Sequence, residues 1–216
     1  MKKRVVVVGL GIFGINLVRN LFESGVEVIA VDKLKEPVQQ VRDWATKAIV
    51  ADGTDPEVME AIGLGEDDVV VVSFGDDLAA STLITLHLVK MKVKEIIVKA
   101  TCEDHKMILE KVGATEVIIP EKIVAEKIAK GIVSPNVLDY IPLSEEYMIG
   151  EIAPPAEFTG KSIGELQLRN RYHLEVIAVR DTLTDKIRMI PPAQFIIKDS
   201  DVLVVIGREN DIEQLK

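Results

Sequence analysis

The stretch Val5-Val6-Val7-Val8-Gly9-Leu10-Gly11-Ile12-Phe13-Gly14, answered by Asp32 just past the apolar run Val28 to Val31, decides the fold of this chain. Four consecutive valines suit a strand buried on both faces, as in a parallel sheet covered by helices. Gly9, Gly11 and Gly14 allow a tight turn, close approach of the backbone to a pyrophosphate, and packing of a helix on that strand. A helix beginning here points unpaired N–H groups at whatever lies before it, which favours phosphate. Asp32 follows about 20 residues on, the spacing at which an acidic side chain accepts from a ribose hydroxyl. Glycines alone would be weak evidence. Strand, glycines, helix and acid in register read as a nucleotide-binding βαβ unit.

Working outward, further apolar runs continue the alternation: Val26–Val31, Ala48–Ala51, Val69–Ser73, Ile96–Ala100 and Val117–Ile119 read as strands. Between them, Pro37–Trp44, Pro56–Ile62, Leu78–Met91, His105–Val112 and Lys122–Ile132 place apolar residues at helical intervals. This alternation predicts an α/β fold, a Rossmann-like doubly wound parallel sheet over residues 1–133, with its ligand at the carboxyl ends of the strands. Leu78–Met91 is apolar on more than one face, which suits either a deep fit in the core or a self-association surface.

The pattern changes after Ser134-Pro135-Asn136. Residues 134–143 read as a linker and 144–216 as a small α+β domain, with strands at Tyr147–Ala153, Glu175–Arg180, Lys186–Ile190 and Val202–Ile206. Helices are expected at Ser162–Leu166 and near Glu209–Leu215, and Thr184-Asp185 would turn a hairpin. So small a unit buries little by itself and is expected to pair with a copy of itself.

Composition narrows the function. The 216 residues are 48% hydrophobic and carry a formal net charge of −9, which disfavours nucleic acid or an anionic lipid surface as partner. A single nucleotide is still compatible, because backbone amides supply its donors locally. Lys2-Lys3-Arg4 before an apolar run is a shallow likeness to a secretory signal, broken by the glycines, Asn16 and Arg19. No segment approaches the roughly 20 apolar residues that span a bilayer, so a soluble, cytoplasmic protein is expected. Cys102 is the sole cysteine, which excludes an internal disulfide and a multi-thiolate metal site.

Polar residues gather where the strands end. Lys33 follows Asp32, Asp52-Gly53 follows the third strand, Ser73-Phe74-Gly75-Asp76-Asp77 the fourth, and Lys99 ends the fifth. In a Rossmann-like site these positions meet the adenine side, the cleft wall and phosphate. Asp55, Asp76 and Asp77 also suit turns or helix caps. Glu121 has two readings: a first-turn glutamate answering the helix dipole, or a ligand for Mg²⁺ or Ca²⁺ placed between carboxylate and phosphates. His87, His105 and His173 have no evident Ser, Cys or carboxylate partner, and no nucleophile elbow or GKS/GKT loop occurs. No enzymatic constellation emerges.

Five stretches together resemble the RCK proteins, the cytosolic nucleotide-binding subunits of Trk and Ktr potassium transporters. They are Gly9-Leu-Gly-Ile-Phe-Gly14 with Asp32; Ala80-Ser-Thr-Leu-Ile-Thr-Leu86; Val98-Lys-Ala100; His105-Lys-Met-Ile-Leu-Glu-Lys-Val-Gly-Ala114; and Ile119-Pro-Glu-Lys122. Asn136-Val-Leu-Asp-Tyr-Ile-Pro-Leu-Ser144 adds to them, and the second domain resembles the family's TrkA-C (RCK-C) domain. The resemblance implies a homodimer assembling into a tetrameric or octameric ring, docked to a separate membrane pore subunit at the inner face of the membrane. It implies ATP, ADP or NAD(H) as ligand, with Gly9, Gly11, Ile12, Phe13 and Gly14 at the phosphates. Asp32 would lie at the ribose, Asp52 on the adenine side, Lys99 near phosphate and Glu121 on a divalent cation, with Lys33, Gly53, Ser73 and Gly75 also among the nucleotide-binding residues. One departure stands out: Ile12 occupies a position where Ktr-type members often carry an arginine that reaches ATP on the neighbouring subunit. The second domain of related proteins can bind cyclic di-AMP at its dimer interface, for which Arg169, Asn170 and Arg171 are conceivable contacts. The rival readings are an NAD-dependent oxidoreductase and a free-standing nucleotide sensor.

Overall fold

The computed structural model describes residues 4–65, 67–74, 77–144 and 146–215. The chain divides into two compact units, the first ending at Ile123 and the second beginning at Val124.

The first unit alternates strand and helix: β1 (Arg4–Val8), α1 (Ile12–Glu23), β2 (Glu27–Asp32), α2 (Lys35–Gln40), β3 (Lys47–Val50), α3 (Pro56–Ile62), β4 (Val69–Val72), α4 (Leu78–Lys90), β5 (Glu95–Lys99), α5 (Glu103–Val112), β6 (Glu116–Ile118) and the start of α6 (Pro120–Val133). All six strands are parallel, in the order β3-β2-β1-β4-β5-β6. The order reverses between β1 and β4, and a doubly wound sheet opens a crevice at such a switch point. Val6, Val7 and Val8 of β1 and Val70 and Val72 of β4 are wholly buried. They divide between two apolar layers, because successive side chains of a strand point to opposite faces. Val6, Val8, Val70 and Val72 pack with Met59, Ile84, Leu88 and Leu109 on one side. Val5, Val7, Val69 and Val71 pack with Leu10, Val18 and Val38 on the other.

The second unit is antiparallel. It comprises β7 (Val137–Pro142), β8 (Tyr147–Ile152), a 3₁₀ turn at Ala156–Phe158, α7 (Ile163–Leu166), α8 (Leu168–Tyr172), β9 (Glu175–Asp181), β10 (Lys186–Met189), β11 (Asp201–Arg208) and α9 (Glu209–Glu213). Its sheet runs β10-β9-β11-β8-β7. Phe158, Leu166, Leu174, Ile197 and Leu203 fill its core. Asp185 adopts a positive φ of 53° in the β9–β10 turn, where the Thr184-Asp185 hairpin is expected.

Two expectations give way. The linker read at 134–143 is in large part strand: Val137–Pro142 pairs antiparallel with β8, and an edge strand with most of its side chains exposed shows little apolar patterning. The helix read over Pro37–Trp44 begins earlier, at Lys35, and ends at Gln40. Proline fits the first turn of a helix, so Pro37 lies inside α2 rather than opening it.

Candidate nucleotide site

The carboxyl ends of the parallel strands gather the polar residues singled out above. β1 runs directly into Gly9, whose N–H donates to the Val31 carbonyl at 2.9 Å, while Ser73 N–H donates to the Val8 carbonyl at 2.7 Å. Gly9 has φ +95°, and a Cβ there would stand 2.8 Å from the Ser73 carbonyl oxygen, so only glycine fits. Gly14 is held more tightly still, since a Cβ would meet the Gly9 carbonyl oxygen at 2.1 Å. Gly11 differs: nothing lies within 4 Å of the position its Cβ would take. Two glycines therefore close the loop against the sheet, and the third leaves open space above it.

Helix α1 starts from Gly11 with no side-chain cap and no acidic residue in its first turn. Its first ladder bond runs from Ile15 N–H to the Gly11 carbonyl at 2.9 Å, so the amides of Ile12, Phe13 and Gly14 precede the ladder. Uncapped amides at the positive end of a helix dipole make a site for an anion. The side chains at this end point elsewhere: Ile12 is 87% exposed, and Phe13 packs into the apolar layer behind β1.

Asp32 ties this loop to the end of β2. Leu10 N–H donates to Asp32 Oδ2 at 2.6 Å, and Leu34 N–H donates to Oδ1 at 2.8 Å. Each carboxylate oxygen, bonded once, keeps a lone pair for a further donor. Beside it lies a cavity of about 300 Å³ lined by Val8, Lys33, Asp52, Gly53, Thr54, Phe74, Asp77 and Ala80. Asp52 accepts from Thr54 N–H (2.9 Å) and Thr54 Oγ1 (2.7 Å), and these bonds hold its carboxyl below the usual range, aided by Lys33. Asp77 caps α4 through the Ala80 N–H, and Asp55 caps α3 through the Glu57 N–H, the bland roles expected of them. Gly75 and Asp76 lie outside the described residues.

Ser73, expected on the cleft wall, has a buried hydroxyl oxygen with no hydrogen-bond partner among the described residues. A buried hydroxyl left unpaired costs roughly 1–3 kcal/mol. This one stands 3.5 Å from the Cβ position of Gly14, at the loop's closure on β4.

Lys99 and Glu121 meet, but not as expected. The Lys99 ammonium, 14% exposed, lies 2.6 Å from Glu121 Oε1, and this bond holds the Glu121 carboxyl below its ordinary value. Each is the other's partner here. Among the described residues no group of three or more His, Cys, Asp or Glu side chains could hold a metal ion. The chain thus supplies one carboxylate here, paired with an ammonium, and any Mg²⁺ or Ca²⁺ would have to draw its other oxygens from phosphates and water.

Sequence reading missed one cluster. His105, read as partnerless, is buried, and its Nε2 stands 2.9 Å from Ser81 Oγ. Thr101 N–H donates to Nδ1 at 3.3 Å, so Nδ1 carries no proton and Nε2–H faces Ser81. In this tautomer the ring donates to Ser81 and is not placed to take its proton. The available signal was Ser81 and Thr85 inside an otherwise apolar helix, since buried hydroxyls require partners. In the second unit, Arg169 pairs with Glu175 at 2.9 Å and Arg171 lies over the Tyr172 ring, so both arginines already have contacts.

No helix among the described residues is long and apolar enough to cross a membrane. Residues 5–120 match the TrkA-N domain, and residues 149–216 match the TrkA-C domain. Ktr system potassium uptake protein C of Bacillus subtilis (strain 168) is 37% identical over 216 residues, covering 100% of this chain and 97% of that protein. Ktr system potassium uptake protein A of the same organism is 36% identical over 214 residues, 99% of this chain and 96% of that one. The structure of the GsuK channel bound to NAD shares the fold at a TM-score of 0.67 and 18% identity, covering 100% of this chain and 39% of that one. With a TrkA-N domain followed by a TrkA-C domain, and with relatives matched from end to end, the chain belongs to the RCK family.

Proposed function

We propose that this chain is the nucleotide-binding regulatory subunit of a Ktr-type potassium uptake system, and that its carboxyl edge takes ADP, ATP or NAD(H). One observation carries the reading: uncapped amides at Ile12, Phe13 and Gly14 face open space at Gly11, while Asp32 braces the same loop through Leu10. The amides would hold the phosphates. Asp32 would receive a ribose hydroxyl on its remaining lone pairs, and the cavity bounded by Lys33, Asp52, Gly53 and Phe74 would take the adenine side. The names of the full-length relatives support the transport role, and the NAD-bound GsuK channel supports the ligand class. Because Ile12 offers no charge to a terminal phosphate, ATP gains no contact over ADP at that position.

The chain would act as a homodimer within a ring beneath a separate membrane pore subunit. Leu78, Leu83 and Leu86, exposed on α4 while Ile84 and Leu88 are buried, supply an apolar surface for such assembly. Ligands that prefer one ring conformation would shift its population, and equal affinity for all conformations would shift nothing. Hydrolysis plays no part.

Calorimetry with ADP, ATP and NAD on the full chain tests the site. We expect binding, and a loss of at least about tenfold, or 1.4 kcal/mol, in Asp32→Ala. Absence of binding for every adenine compound, or an Asp32→Ala variant with unchanged affinities, overturns it.

A further inference from the structure

We infer that His105 is a positioning residue for the nucleotide edge: its neutral ring links the loop after β5 to the first turn of α4, which walls the adenine cavity. The proposal rests on the nucleotide reading of that edge and adds to it a dependence on pH.

The connection is a short chain of hydrogen bonds. Thr101 N–H donates to His105 Nδ1 at 3.3 Å, and His105 Nε2–H points at Ser81 Oγ, 2.9 Å away. Ser81 Oγ lies 3.1 Å from the Asp77 and Leu78 carbonyls, to which its hydroxyl donates. Asp77 and Ala80 line the cavity beside Lys33 and Asp52. Thr101 stands two residues past Lys99. One buried imidazole thus braces two adjacent strand-end loops from beneath.

A proton would break that brace. It must enter at Nδ1, where the Thr101 N–H already points; that N–H then loses its acceptor, and Nδ1–H can turn only to the Thr101 hydroxyl, 3.4 Å away, which shifts the loop. The surroundings also oppose the cation, for burial lowers the ring's proton affinity below the ordinary histidine value of 6.5. Among the described residues no charged side chain counters this. On α4, the Asp77 carboxylate is turned to the Ala80 N–H, and His87 lies more than a turn further along. On the loop, Lys99 is paired with Glu121, and Cys102 is exposed. On α5, Glu103 is paired with Lys122, Lys106 with Glu110, and Asp104 is exposed; Glu116 of β6 is exposed too.

The test is calorimetric titration with NAD, whose pyrophosphate keeps a constant charge, at steps from pH 7.5 to pH 5.5. We expect wild-type affinity to fall several-fold as the pH drops through the His105 titration, which the nitrogen-15 spectra locate. His105→Gln, which keeps a neutral donor towards Ser81, should bind within about twofold of wild type at pH 7.5 and stay level on acidification. A level wild-type profile, or a parallel fall in His105→Gln, overturns the proposal. In the ligand-free chain, nitrogen-15 spectra should place the imidazole proton on Nε2, and the Asp77 and Ala80 amide signals should move with the His105 titration. Amides that ignore that titration also overturn it. Failure of both NAD and ADP to bind at pH 7.5 would instead remove the nucleotide reading itself, a result separable from a level pH profile.

Discussion

The two sheets bury their residues in opposite ways. In the first unit β1 and β4 are closed on both faces, with all four residues of β4 buried, whereas β10 in the second unit is exposed along its whole length. A strand covered on both sides has no side chain left for chemistry, so polar residues are displaced to its carboxyl end, where Gly9, Ser73 and Asp32 stand. The antiparallel sheet has the converse problem. Ile187 and Met189 on β10, with Ile190 and Ile196 nearby in the chain, are left exposed, and apolar area of that kind marks contact surfaces. The central strands of the first sheet are covered on both faces within one chain, whose exposed apolar residues in that unit include those of α4, while the second sheet leaves apolar area on a strand itself.

The hardest blow to this contrast falls on the rim rather than on a strand. Gly14→Ala sets a methyl group 2.1 Å from the Gly9 carbonyl oxygen, a backbone atom that cannot rotate away. The loop must open, at roughly 3 kcal/mol by the range for overpacked sites, which is about 6–12 °C in Tm for a chain of this size. Nucleotide binding should vanish with it. Gly11→Ala meets open space, so its Tm should stay within about 2 °C while affinity falls about tenfold, or 1.4 kcal/mol. Thermal melts and calorimetry on the pair decide the matter. Equal stability losses in both would mean that Gly11 has a packing role and not a ligand-facing one.

Within the sheets, Ile96→Ala on β5 and Ile187→Ala on β10 remove the same atoms from opposite settings. Ile96 is buried in the first unit's core, and its truncation should cost about 2–5 kcal/mol. Ile187 is exposed, and its truncation should stay within about 0.5 kcal/mol. Urea titrations at low protein concentration measure both. A large, concentration-dependent loss for Ile187→Ala would show that β10 is already covered by a second copy.

What the sequence made legible follows the same division. The valine runs, the glycine spacing and Asp32 announce the parallel sheet and its rim because two-sided burial demands continuous apolar strands and a phosphate turn demands glycine at fixed steps. β7 was invisible because an edge strand with residues such as Asp139 needs no apolar face. The Lys99–Glu121 pair could not be read because a lysine at a strand end looks the same whether it faces phosphate or the next strand's helix. The His105–Ser81 contact crosses 24 residues between two helices, and only the folded packing of α4 on α5 brings it together.

The smallest expected effect tests the rim's ion pair. Glu121 is 66% exposed and Lys99 only 14%, so their contact is strongly screened on one side. Glu121→Gln should therefore lower stability by less than about 1 kcal/mol at neutral pH. The sign with pH is fixed by the Lys99 ammonium, which depresses the Glu121 carboxyl from its ordinary 4.5. The stabilisation is present above that value and is lost as pH falls through the folded one, because the unfolded chain takes up the proton first. Urea midpoints of wild type and Glu121→Gln should thus differ slightly at pH 7 and converge under acid. Millimolar Mg²⁺ should leave both unchanged at pH 7. A wild-type midpoint that rises with Mg²⁺ while the variant's does not would show that the cation displaces Lys99, and would make Glu121 a ligand after all.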